Sequence, residues 1–104
     1  MPRHSRLPPI HPGEILRAEF MAPYKLSANR LAGMLDVPAN RVTSILNGTR
    51  SVTAETALRL SAAFGTTPQF WINLQSLYEL EIAQREAGAR IERTVERVRE
   101  AEPA

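Results

Sequence analysis

LSANRLAGMLDVPANRVTSILNGTR, residues 26–50, is the stretch that decides how this 104-residue chain is read. Ser27 is a favourable N-cap and predicts a helix over Ala28–Leu35, with Leu31, Ala32, Met34 and Leu35 on its inner face. Asp36 follows the last helical residue, where a left-handed backbone is commonly needed; glycine is best there, and Asp or Asn is tolerated better than most. Val37-Pro38 resists continuation, because proline disfavours the α region for the residue before it. A second short helix is expected over 38–46, anchored by Val42, Ile45 and Leu46, and Asn47-Gly48 is a turn dipeptide that stops it. Two short helices joined by about three residues have the spacing of a helix-turn-helix. Ala32 is the telling inner residue: where helices cross near a right angle, a small side chain lets the backbones approach. Val37 and Val42 are then expected to bury against Leu31 and Ala32.

With those residues turned inward, the outer side of the second helix is left with Ala39, Asn40, Arg41, Thr43, Ser44 and Asn47. Short polar side chains of this kind suit the major groove, where base edges present distinct donor and acceptor patterns. Asn40 can bond an adenine edge in bidentate fashion. Thr43 can donate to a base or touch a thymine methyl, Ala39 can lie against such a methyl, and Arg41 can take a guanine edge or a phosphate. The next turn, Asn47-Gly48-Thr49-Arg50-Ser51, is basic and hydroxyl-rich, as phosphate contacts require.

Outward from this centre, His11-Pro12-Gly13-Glu14 begins a helix, with proline in its first turn and an anion where the helix dipole favours one. Ile15, Leu16, Glu19 and Phe20 place its stripe, and Pro23 ends it. Thr53 caps a helix over Ala54–Phe64, with Ala57, Leu58, Leu60, Ser61 and Phe64 inward and Gly65 closing it. Thr67-Pro68 opens a fifth helix in which Phe70, Trp71, Leu74, Leu77, Tyr78 and Ile82 recur at spacings of three or four. Beyond Gln84 the chain is mostly Glu, Arg and Ala, a solvated helix expected to fray past Gly88. No strand pattern is present. The expected architecture is all-α: a five-helix domain with a helix-turn-helix over 12–87, a flexible basic arm over 1–11 and a charged helical tail over 88–104.

Composition narrows the function classes. Residues 1–50 hold seven Lys/Arg against three Asp/Glu, and residues 51–104 hold six against eight. A basic half beside an acidic half points to a polyanion partner on one side. The absence of cysteine removes disulfides and thiolate chemistry and fits a reducing cytosol. No apolar run approaches the ~20 residues that span a membrane, and MPRHSRLPP has no apolar core behind its arginines, so a soluble, cytoplasmic chain is expected. His4 and His11 lie in or beside the proline-rich arm with no third ligand nearby, so no metal site or cofactor is expected. No nucleophile elbow, phosphate loop or paired-carboxylate cleft suggests an enzyme.

Residues 25–64 resemble the Cro/repressor (XRE-type) helix-turn-helix, and the resemblance implies a five-helix, lambda-repressor-like DNA-binding domain. HPGEIL (11–16), NRVTSILNGTRSVTAETALRL (40–60) and FGTTPQFWINLQSLYELE (64–81) extend the resemblance to the HigA family of addiction-module antitoxins. The resemblance implies an antitoxin of a type II toxin–antitoxin system that neutralises a RelE/HigB-like mRNA-cleaving toxin. It also implies repression of its own operon by a homodimer bound to palindromic double-stranded DNA. By match to the motif, base reading falls on Ala39, Asn40, Thr43 and Ser44. Phosphate contacts fall on Ser27, Ala28 (through its backbone N–H), Arg41, Asn47, Thr49 and Arg50. Asp36 replaces the commoner turn glycine, and Pro38 stands where Ser or Thr often caps.

Other readings compete. Trp71 and Tyr78 can form a stacking platform for bases, although their spacing with Phe70, Leu74 and Leu77 favours a core or dimer contact. Dimerisation is expected on the fifth helix, since two copies related by a two-fold axis reach half-sites about 34 Å apart. Arg3 and Arg6 can enter a minor groove, lie on a toxin or be solvated. The Glu/Arg tail reads as a solvated face with i,i+4 pairs, or as a toxin-docking surface. The alternative to an antitoxin is a stand-alone XRE-type repressor with no toxin.

Overall fold

The structure, a computed structural model, describes residues 7–99; Arg3, His4 and Arg6 of the expected arm and the end of the tail lie outside them. The described residues form helices and connecting turns with no strand. The first helix, α1, begins over Pro12–Ile15, widens into a π-helical stretch over Leu16–Met21 and tightens into a 3₁₀ turn over Ala22–Tyr24. Then follow α2 (Ala28–Leu35), α3 (Ala39–Leu46), α4 (Ala54–Phe64) and α5 (Pro68–Thr94).

Local chemistry sets most boundaries. The Ser27 hydroxyl accepts from the Arg30 N–H at 3.0 Å, Thr53 from Thr56 at 3.4 Å and Thr67 from Phe70 at 3.1 Å. Each satisfies one of the donors that a helix start leaves unpaired. At the other end of α2, Asp36 is left-handed (φ 60°, ψ 49°), which lets the Val37 N–H donate back to the Ala32 carbonyl at 3.1 Å. Gly65 closes α4 in the same region, at φ 78°.

The core joins Leu16 and Met21 of α1, Leu31, Ala32 and Leu35 of α2, Val42 and Ile45 of α3, Ala57 and Leu60 of α4, and Trp71 of α5. Ala32 is almost wholly enclosed, as the crossing of α2 and α3 demands. Trp71 lies against Phe20 (ring centroids 5.0 Å apart) and Phe70 (5.0 Å), while its indole N–H donates to the Thr66 hydroxyl at 2.8 Å. A buried indole needs such a partner.

Four local expectations are corrected. Met34 and Leu58 face outward, 43 % and 58 % exposed. One helical residue is a rotation of about 100°, and the inner stripes are already held by Leu31, Ala32 and Leu35 on α2 and by Ala57 and Leu60 on α4. The first helix runs through Pro23 to Tyr24 and is ended by left-handed Lys25 (φ 54°), because proline is tolerated in the first turn of the new 3₁₀ segment. α5 passes Gly88 without a break and ends at Thr94. Its flanking Ala, Gln, Glu and Arg are good helix formers, which outweigh one glycine at about 1 kcal/mol. This outer half of α5 projects from the body: the radius of gyration is 18.0 Å, against about 13 Å for a compact chain of this length.

Arg59, which the sequence pattern did not single out, braces the helix-turn-helix elbow. Its guanidinium donates to the Leu35 carbonyl at 2.9 Å and to Glu55 at 2.9 Å, so α4 caps the C-terminal end of α2. Arg59→Met should cost about 1–2 kcal/mol, the lower part of the range for a charged hydrogen bond because the side chain is one-third exposed. A urea midpoint equal to that of the parent chain would show that the brace carries no stability.

Candidate nucleic-acid interface

α3 presents the edge. Ala39, Asn40, Thr43 and Asn47 are exposed along it, while Arg41 and Ser44 are half-buried and Val42 and Ile45 point into the core. The helix starts at Pro38 with no side-chain cap. The Thr43 hydroxyl donates to the Asn40 carbonyl at 3.3 Å on an exposed side chain, so its oxygen keeps the capacity to accept. Arg41 lies near enough to Glu55 to contribute to its acidity. The Glu55 carboxyl is held below the ordinary range first by the Arg59 hydrogen bond, then by the charges of Arg59 and, less, Arg41. Ser27 and Ala28 occupy a different station, the N-terminal end of α2.

The loop after α3 folds back over the Ser44 carbonyl. That oxygen accepts from the Thr49 N–H at 2.9 Å, the Arg50 N–H at 3.2 Å and the Thr49 hydroxyl at 3.2 Å. Gly48 makes the reversal possible at φ 81°, a conformation that costs glycine little. The Asn47 and Arg50 side chains remain exposed at the rim.

Three side chains outside the motif hold this loop from beneath, and none was singled out in the sequence for that role. Gln75 of α5 is buried and accepts from the Val52 N–H at 2.8 Å while donating to Glu79 at 3.0 Å. Glu79 also accepts from the Ser51 hydroxyl at 3.4 Å. His11 is the third. Assigned to the arm by its proline-rich neighbours, it is only 6 % exposed, and its Nδ1 accepts from the Gly13 N–H at 2.9 Å as the N-cap of α1. Its ring meets Tyr78 edge-on, centroids 4.8 Å apart. Next to it, Gly13 lies against the end of α3, where a Cβ would stand 2.1 Å from the Ile45 carbonyl oxygen. The HPG tripeptide at a helix start was the available signal for both residues.

Burial lowers the His11 pKa below its ordinary value of 6.5; the Arg50 backbone bond and the Glu14 charge only partly oppose it. The folded state therefore prefers the neutral ring. Its contribution to stability is complete above about pH 6.5, declines as the unfolded chain takes up the proton below that value, and is lost once pH falls through the folded pKa. Urea midpoints measured from pH 7.5 to 5.0 should fall in the acid half of that window. A curve flat to pH 5.0 would contradict a depressed His11.

Of the residues expected at a dimer contact, Phe70 and Leu77 are exposed and Leu74 and Tyr78 half-buried on α5. Trp71 is 0 % exposed; the aromatic cluster of its own chain encloses it and leaves it no surface for a second copy. The same burial removes it from any base-stacking platform. Among the described residues, no three metal-ligating side chains converge and no helix is long and apolar enough to cross a membrane.

An elbow of two helices that turns one polar edge outward beside a basic loop defines a DNA-binding regulator of the helix-turn-helix class. The family described as Helix-turn-helix matches residues 18–71. An addiction module antidote protein of a HigA family from Coxiella burnetii is 54 % identical in sequence and superposes with a TM-score of 0.84 over 88 % of this chain and 100 % of its own. The Pseudomonas aeruginosa antitoxin HigA, solved with the higBA promoter, is 44 % identical with a TM-score of 0.84 over 88 % of this chain and 99 % of its own. Antitoxin HigA-1 of Vibrio cholerae is 37 % identical over 75 % of this chain and 73 % of its own. The chain belongs to the HigA family of XRE-type helix-turn-helix antitoxins, a family of DNA-binding regulators and not of enzymes.

Proposed function

We propose that this protein is the antitoxin of a type II pair: it neutralises a RelE/HigB-like mRNA-cleaving toxin and represses its own operon, as a cytoplasmic homodimer on a palindromic operator. The observation that carries the DNA-reading half is the exposed α3 edge, continuous with the Asn47–Arg50 rim. Ala39, Asn40, Thr43 and Ser44 read bases. Ser27, the Ala28 N–H, Arg41, Asn47, Thr49 and Arg50 hold phosphates, which position the protein without conveying sequence. The relative from Pseudomonas aeruginosa solved with its promoter supports this reading. Dimerisation through α5 is supported by the apolar surface at Phe70, Leu74, Leu77 and Tyr78, which exposed Leu80 and Ile91 continue outward.

Asn40→Ala should weaken binding to the chain's own promoter by about 1–3 kcal/mol and relax specificity at one base position. Fluorescence anisotropy showing unchanged affinity would remove Asn40 from the reading edge. The toxin half is tested by co-expression with the neighbouring reading frame. Rescue of growth together with a co-purifying complex supports the antitoxin; a harmless neighbour that does not bind leaves a stand-alone repressor. Light scattering on the free protein should give twice the 11.6 kDa chain mass.

A further inference from the structure

We infer that Gln75 of α5 is a positioning residue for operator binding: its buried amide holds the far end of the phosphate-contacting loop and so sets where the Asn47–Arg50 rim stands. The inference rests on the proposed operator reading but concerns a residue outside the helix-turn-helix, 23 positions from the loop residue that it holds.

Gln75 stands where an apolar residue is expected. It lies one helical turn after Trp71, and these two are the buried residues of α5. Enclosing an amide costs free energy unless its polar atoms find partners, and both do. The Val52 N–H can only donate, so the side-chain oxygen faces it, at 2.8 Å. The amide nitrogen then faces Glu79, whose carboxylate accepts at 3.0 Å, and the same carboxylate oxygen accepts from the Ser51 hydroxyl at 3.4 Å. A backbone donor at one end and a carboxylate acceptor at the other leave the amide a single orientation. Val52 is itself a core residue, 2 % exposed, and it follows Arg50 by two positions. The loop thus has two anchors. The Ser44 carbonyl on α3 holds the Thr49 and Arg50 N–H groups, and Gln75 on α5 holds Val52. Without Gln75 that buried donor loses its acceptor, which is costly and frees the Val52 end of the loop. Leu74 and Tyr78, on the proposed dimer face, flank Gln75 on the same helix, so the helix that pairs the protomers also fixes each rim.

Two variants separate positioning from simple support of the fold. Gln75→Met keeps the length of the side chain and removes both its acceptor and its donor. The double variant Gln75→Glu/Glu79→Gln exchanges the two groups at constant net charge. There the carboxylate at position 75 accepts from the Val52 N–H, and the amide at position 79 donates to it while accepting from Ser51. The first readout needs no DNA. Amide hydrogen exchange at Thr49 and Arg50 should accelerate in Gln75→Met and stay near the parent rate in the exchanged pair, with core amides such as Leu31 and Leu60 protected in both. The second is promoter affinity, which should fall about five- to tenfold in Gln75→Met, the effect of one lost hydrogen bond, and recover in the exchanged pair. The salt dependence of that binding should also become shallower in Gln75→Met, because a displaced Arg50 releases fewer counterions; a domain that is merely less stable keeps the parent slope. Parent-like exchange at Thr49 and Arg50 in Gln75→Met overturns the inference, as do a parent-like affinity and slope, or equal losses in both variants. A parent chain that does not bind its promoter overturns the operator reading instead, and the exchange rates then still decide whether Gln75 holds the loop.

Discussion

Gly13→Ala should destabilise the domain by about 3 kcal/mol, the upper end of what overpacking usually costs, and lower its melting temperature by roughly 15 °C. The reason is distance and not backbone conformation, since Gly13 is absent from the positive-φ positions. A Cβ there would stand 2.1 Å from the Ile45 carbonyl oxygen, 2.9 Å from its carbon and 3.0 Å from the Leu46 Cα. All three are backbone atoms, so no rotamer change relieves the clash and α1 must lift from the end of α3. Alanine's better helix propensity, at most about 1 kcal/mol, has the opposite sign and is smaller. Because the clash falls where α3 passes into the Asn47–Arg50 loop, promoter affinity should fall along with stability. A thermal melt of Gly13→Ala that matches the parent would show that the two helices do not need this close approach.

Promoter binding should weaken about a hundredfold between 50 and 200 mM salt. In the proposed dimer, Arg41 and Arg50 of both protomers supply four phosphate contacts by charged side chains. Each contact releases condensed counterions, for a slope of log affinity against log salt of roughly −3.6. Asn47, Thr49 and the Ala28 N–H add directed hydrogen bonds without a counterion term of this size. Arg50→Ala should therefore cut the slope by about half while leaving base preference unchanged. Anisotropy titrations at four salt concentrations measure both slopes; a parent slope near zero would mean that binding does not run through these phosphates.

Much of the fold was legible because its signals are local. Ser27, Thr53 and Thr67 cap the helices that they were expected to cap, and left-handed Asp36 makes the turn that its position required. The small Ala32 marks the helix crossing. Periodicity was less reliable at the edges of the stripes: Met34 and Leu58 are apolar and near the right phase, yet they fall outside the packed surface. The π-helical stretch of α1 had no local signal, because a widened turn is decided by what the helix packs against. The supports of the loop were hidden for a similar reason. His11, Gln75, Glu79 and Arg59 are polar residues that sequence alone assigns to solvent, and the partners of the last three lie 23 to 28 positions away.

Sequence alone determined that this chain makes five helices, that two of them form a helix-turn-helix, and which short polar residues edge the second, since capping, turn chemistry and helical period act over a few neighbouring residues. Only the tertiary structure decided that His11 belongs to the folded body, that Gly13 is a close contact, and that α5 reaches under the Asn47–Val52 loop through Gln75 and Glu79. Those facts come from groups distant in the chain that share a single buried position, where an unpaired backbone donor or acceptor is costly and the residue that answers it can come from anywhere in the sequence.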